Sequence, residues 1–210
     1  MSSTRDLLLD AAERLFAEKG LHGTSAREIV SAAGQRNESA IQYHFGGRAG
    51  LVEALVARRV EAIETERLAR LDALLDRADA PSVRALLACL VDPVVERCRD
   101  DAGFRSFIAA FGELALAPGI ELAGNPHELR SLERLRDIVA VRLGLPQRLL
   151  RARAEAVTRL VLLSIGQWAR AGAVFEGTEF DRFFTNLVDM GAAMLTADVS
   201  AETRRAHGMR

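Results

Sequence analysis

Apolar residues recur at helical spacing along most of the 210 residues, and no stretch alternates apolar and polar in the manner of a half-buried strand. Leu7, Leu8, Ala11, Ala12, Leu15 and Phe16 mark the inward face of a first helix, with Arg5, Asp6, Asp10, Glu13 and Arg14 outward. Thr4 stands as its N-cap and Gly20 as its stop. A second helix starts at Ser25, which with Glu28 has capping-box spacing; it packs through Ile29, Val30 and Ala33 and ends at Gly34. Asn37 is the expected cap of a third, Glu38 to His44, closed by Gly46-Gly47. A fourth runs from Arg48 to about Arg77 behind a persistent apolar face from Leu51 to Leu75, roughly 45 Å at the rise of an α-helix.

The remainder reads as five more helices. Val83 to Cys98 carries one apolar stripe with Pro93 inside it, where a kink is expected because the bond to the Cys89 carbonyl is lost. Phe104, Phe107, Ile108, Phe111 and Leu114 mark the sixth, and Asn125-Pro126 with Glu128 opens the seventh, which runs to about Leu143. The eighth, near 147–171, is apolar on every side from Leu160 to Leu163, as for a helix covered by its own core and by a second subunit. Thr178 with Asp181 caps the ninth. The pattern predicts an all-α chain of about nine helices. A three-helix helix-turn-helix domain spans 1–47 and a connecting helix 48–77. A helical bundle spans 78–198, and a disordered polar tail 199–210.

Composition narrows the function. No apolar run reaches the 18 or so residues of a membrane helix, and the acids in the first helix are foreign to a secretory signal, so a cytoplasmic protein without a membrane partner is expected. Cys89 and Cys98 lie in apolar helical sequence, as packed, reduced thiols. No His/Cys cluster suits a metal, and no Ser-His-Asp, Cys-His or paired-carboxylate arrangement stands out among four histidines, so neither cofactor nor catalysis is expected. Residues 1–60 hold eight Lys/Arg and seven Asp/Glu, a net of +1, against −1 for the whole chain, which leaves −2 for the rest. Affinity for a polyanion must then come from a few placed cations, among them Arg27, Arg36 and Arg48, and not from bulk charge.

The short second and third helices around a glycine turn form a helix-turn-helix, a DNA-reading unit when the second of the pair is polar on one face. Asn37, Glu38, Ser39 and Gln42 supply that face: Asn and Gln pair bidentately with adenine, and Glu accepts from cytosine. Ser39 and Ala40 are small enough for close approach to a groove, while Ile41 and Phe45 point to the core. Thr24 and Ser25, at a helix N-terminus, can offer backbone N–H groups and a hydroxyl to a phosphate.

LLLDAAERLFAEKGLHGTSAREIVSAAG followed by YHFGGRAGLVEAL resembles the N-terminal domain of the TetR family of bacterial transcriptional regulators, over roughly residues 4 to 56. The parts that carry it are LDAAxxLFAEKG, the TS-x-R-E-I helix start, AAG at the turn and YHF-x-x-R-x-x-L. The resemblance implies that Tyr43 and His44 anchor the reading helix on the DNA backbone and that Arg27 reaches bases or backbone. It also implies that Arg48, at the family's usual Lys position, meets a phosphate. This chain departs from the pattern after AAG: Phe45 stands eleven positions after Gly34 instead of ten, and Gln35 stands at an apolar site, which places the extra residue at Gln35-Arg36.

From the family's layout follow a homodimer on a palindromic operator and repression released by a small apolar effector. The dimer would form through the last two long helices at Leu160, Leu163, Phe184, Leu187, Val188 and Gly191. Phe104, Phe107, Phe111, His127 and Trp168 are the candidate walls of the effector pocket, against the plainer reading of an aromatic stripe as core. The rival readings are a ligand-binding helical protein and a helical enzyme, each without DNA binding.

Overall fold

A computed structural model describes residues 3–37, 39–77, 79–114 and 130–209. Among them the chain is all-helical, with ten helices: α1 (Thr4–Lys19), α2 (Ala26–Ala32), α3 (Ala40–Phe45), α4 (Arg48–Leu75), α5 (Val83–Asp100), α6 (Ala102–Leu114), α7 (Arg130–Leu143), α8 (Gln147–Arg170), α9 (Thr178–Thr196) and α10 (Ala201–Ala206). The tenth lies in the stretch expected to be a disordered tail. The Ser200 hydroxyl accepts from the Thr203 N–H there, which stabilises one short turn whose side chains bury nothing.

Local chemistry sets the helix boundaries. Ser3, not Thr4, caps α1, with Asp6 completing the capping box, and Ser25 with Glu28 does the same for α2. Gly34 (φ 68°) closes α2 in the left-handed conformation; its N–H reaches the Ser31 carbonyl and that of Gln35 the Val30 carbonyl. Gly177, not Thr178, occupies the N-cap of α9 and contributes no side-chain bond. Pro93 sits within α5, which continues to Asp100.

The first three helices bury Leu8, Leu9, Ala12, Phe16, Ile29, Val30 and Ile41 against Leu51, Val52 and Leu55 at the start of α4. Leu7, expected inward, is substantially exposed, and Leu9 takes the inward place. α1 also packs on α6, so the small domain rests on the body of the chain as well as on α4. In that body α6 packs along α8, α8 on α9, and α9 on α5, with α7 against α4, α5 and α8. At 25 cal/mol or so per Å² of apolar surface, burying these faces is what orders the bundle.

Candidate nucleic-acid interface

Helix α3, the second helix of the candidate helix-turn-helix, is six residues long and amphipathic. Ala40 and Ile41 are buried and Phe45 is half-buried under the Arg5 guanidinium, 5.2 Å from its ring centroid. Ala40 therefore serves packing and not the groove. The opposite side presents Ser39, Gln42 and Tyr43, all exposed, and Tyr43 keeps 85% of its surface in solvent. An aromatic ring left that open is available for contact with a partner. His44 is half-buried with its ring edge-on to Tyr43, centroids 4.9 Å apart.

Entry to α3 differs from the expected cap. Ser39 holds the N-cap position without a side-chain bond, and Asn37 closes the preceding turn, its Oδ1 accepting from the Ser39 N–H at 2.9 Å. Asn37 and Arg36 are exposed, while Gln35 is half-buried with its Nε2 donating to the Ala33 carbonyl at 3.3 Å. In the turn between α2 and α3, Gln35, where the resemblance leads one to expect an apolar side chain, is held by a backbone carbonyl. Glu38 lies outside the described residues.

Exit from α3 is built from glycine. Gly46 (φ 71°) and Gly47 (φ 125°) reverse the chain into α4, and a Cβ on Gly47 would sit 3.4 Å from Gln42 Oε1. Gly50 lets the two helices touch: a Cβ there would lie 1.9 Å from the Phe45 carbonyl oxygen. No motif reading singled out Gly50, because the constraint is a contact between two helices and leaves no local signature.

Two of the expected phosphate ligands turn inward. The Thr24 side chain is buried, its hydroxyl donating to the Leu15 and Gly20 carbonyls at 3.2 and 3.0 Å. Arg48 is half-buried; Nη1 donates to the Thr24 carbonyl at 2.7 Å, Nη2 to the Leu21 carbonyl, and the guanidinium lies 5.3 Å from the Phe16 ring centroid. Burial lowers the pKa of Arg48. Its guanidinium, expected at a phosphate, instead clamps the loop between α1 and α2 onto the start of α4. Ser25 and Arg27 remain on the exposed N-terminal turn of α2. There Glu28 is held at a pKa of about 2, first by the Lys19 ammonium 2.6 Å away and then by Ser25.

A partly buried ion cluster centres on Glu13, which helical spacing places outward. Glu13 is only 8% exposed. Its carboxylate takes Arg58 Nη2 at 2.6 Å and Arg59 Nη2, both from α4. Arg58 also reaches Asp10 at 2.7 Å; Arg59 reaches Asp101 at 3.2 Å and covers the Phe104 ring. Burial pushes the Asp101 carboxyl up, but the Phe104 N–H and the Arg59 guanidinium outweigh it and the net shift is downward. The cluster joins α1, α4 and the start of α6. Its partners are some 45 residues apart in the chain, too far for any spacing rule to pair them.

The expected effector walls are divided. Phe104 and Phe107 are buried core residues, and the space Phe107 shares with Phe16, Leu21, Val52 and Leu55 is about 10 Å³, room for one water. Trp168 belongs to another cluster, stacked on Phe183 at 4.5 Å with its Nε1 donating to the Val174 carbonyl. The Phe111 side chain and His127 lie outside the described residues. Of the expected dimer contacts, Leu187, Val188 and Gly191 are buried within the subunit, Gly191 directly under Leu87 of α5. Leu160, Leu163 and Phe184 are half-buried, and Met190 and Met194 are exposed beside them on α9.

Among the described residues no group of three or more His, Cys, Asp or Glu is placed to hold a metal ion, and no helix is long and apolar enough to cross a membrane.

Residues 8–55 match the family model described as "Bacterial regulatory proteins, tetR family". A 59-residue segment is 44% identical to the probable HTH-type transcriptional regulator YttP of Bacillus subtilis (strain 168), and the match spans 28% of each chain. Over the whole chain the fold resembles that of AmtR from Mycobacterium smegmatis, with a TM-score of 0.52 and 23% identity over 100% of this chain and 96% of that one. It also resembles NalD of Pseudomonas aeruginosa, described as the secondary repressor of the MexAB-OprM multidrug efflux pump, with a TM-score of 0.55 and 22% identity over 93% and 98%.

Proposed function

We propose that this chain, whose N-terminal domain belongs to the tetR family of bacterial regulatory proteins, is a homodimeric, sequence-specific repressor released from DNA by a small molecule. The observation that carries the reading is α3. One side is locked into the core by Ala40, Ile41 and Phe45, and the other offers Ser39, Gln42 and the open Tyr43 ring. A six-residue helix has no reason of stability to expose a tyrosine; a helix that enters a major groove does.

In this reading Gln42, Asn37 and Ser39 meet base edges. Tyr43, His44, Arg27, Arg36 and the N-terminal turn of α2 at Ser25 meet the backbone. Thr24 and Arg48 act at one remove by holding the domain together. Two copies on a palindrome would present their α3 helices about 34 Å apart, one helical turn of DNA. The half-buried Leu160, Leu163 and Phe184, with Met190 and Met194, give α8 and α9 an apolar surface suited to a two-fold contact. The Glu13–Arg59–Asp101 cluster supports control by ligand, because a shift of α6 would be felt directly at α1 and α4.

The test is a comparison of DNA sites selected from random duplexes by the wild type and by Gln42→Ala. Loss of a bidentate contact should relax preference at one position per half-site, by about 1–3 kcal/mol. Identical selected motifs for the two proteins would remove Gln42 from the reading face.

A further inference from the structure

Between the end of α1, the outer face of α6 and the last turn of α8 lies a cleft of about 490 Å³, open on one side. That volume is within the range of small-molecule pockets, and it is far larger than the space beside Phe107. Small groups line much of it: Ala102, Ser106 and Ala109 on α6, and Gly20 at the end of α1.

The charged side chains that line it are both arginines, Arg105 and Arg170, and no carboxylate lines it among the described residues. Each guanidinium is pinned by the backbone. Arg105 Nη1 donates to the Cys98 and Arg99 carbonyls at 2.6 and 3.0 Å, and Arg170 Nη2 to the Ala109 carbonyl at 2.5 Å. Such cations keep their positions without a ligand, so an anion that arrives meets charge already oriented.

We propose that this cleft binds a compact organic anion, an apolar body carrying one carboxylate or sulfonate. The alanine floor takes the body and the two guanidiniums take the charge. The ligand would touch α1 and the α6–α8 pair at once, and so bridge the small domain and the body of the chain. The claim stands on the cleft alone and does not depend on DNA binding.

The test uses the full chain and 8-anilinonaphthalene-1-sulfonate, followed by fluorescence and calorimetry. Saturable binding of one probe per chain is expected. Ala109→Phe, which fills the floor and leaves both arginines in place, should abolish it; Ala169→Leu serves if that variant does not fold. Arg105→Gln and Arg170→Gln should each weaken it about tenfold, a loss of about 1.4 kcal/mol. The uncharged analogue N-phenyl-1-naphthylamine should bind at least tenfold more weakly than the sulfonate. Equal binding by a folded, cleft-filled variant would place the probe elsewhere and overturn the proposal. So would equal affinity for the neutral analogue, or no saturable binding up to millimolar probe.

Discussion

Arg48→Ala separates two roles that one residue type can fill at the start of α4. A phosphate ligand contributes to DNA affinity through counterion release, so its loss lowers the slope of log K against log salt by about one. The structure gives Arg48 other work. Removing it deletes two charged hydrogen bonds to the Thr24 and Leu21 carbonyls and the contact over the Phe16 ring. Hydrogen bonds to a charged group are worth about 1.5–3 kcal/mol each, and a partly exposed cation–π contact about 0.5–1. Discounted for partial exposure, the expected destabilisation is about 2–4 kcal/mol, a large share of a typical domain's margin. Urea unfolding of the full chain should show that loss at unchanged m-value. DNA affinity should fall by a similar factor at every salt concentration, with the slope unchanged. Arg48→Lys should not restore stability, because one ammonium cannot span both carbonyls. A variant with wild-type unfolding and a slope reduced by one would refute the clamp and return Arg48 to the phosphate.

Three further outcomes follow from close contacts and burial. Gly50→Ala places a Cβ 1.9 Å from the Phe45 carbonyl oxygen, and backbone cannot yield as a side-chain tip can. It should cost about 1–3 kcal/mol and weaken DNA binding by shifting α3, and unchanged midpoint and affinity would show that α3 and α4 need not touch there. Gly191→Val should lower the stability of the subunit by about 1–3 kcal/mol, because Leu87 and Val157 already lie 2.7 and 3.2 Å from a Cβ at that site. A change in dimer dissociation alone, seen by sedimentation, would move Gly191 to the interface. Burial pushes the Cys98 thiol up to about 12, so at pH 8 it stays protonated, and burial also raises the Cys89 thiol. Iodoacetamide should modify Cys98 only in denaturant, and rapid native labelling of Cys98 would contradict its burial.

Helices were legible wherever period and caps agreed. Ser25-x-x-Glu28 is a reciprocal cap that involves only near neighbours, and Gly20, Gly34 and Gly46 stop helices through their own backbone freedom. Legibility ended where a side chain is used far along the chain. Glu13 has the spacing of a solvent residue, and only the arrival of Arg58 and Arg59 makes it a buried one. Arg48 looks the same in sequence whether its guanidinium faces a phosphate or the Thr24 carbonyl. The apolar faces of α8 and α9 show a related ambiguity. Periodicity marks Leu187, Val188 and Gly191 as covered but does not say by what; α5 and α8 of the same subunit pack on α9, with Leu87 and Val157 over Gly191. Gln35 is the reverse case: it stands where the resemblance leads one to expect an apolar residue, and its amide donates to the Ala33 carbonyl.

The central claim is that α3 of this chain reads DNA sequence in a two-fold arrangement. The most direct measurement is selection of bound duplexes from a random pool by the full-length protein, followed by anisotropy titration of the enriched site against a scrambled one at stepped salt. The account predicts a palindrome with half-sites about one helical turn apart, and an enriched site bound at least about a thousandfold more tightly than the scrambled one. No enrichment at low salt, or equal affinity for both duplexes, would contradict it.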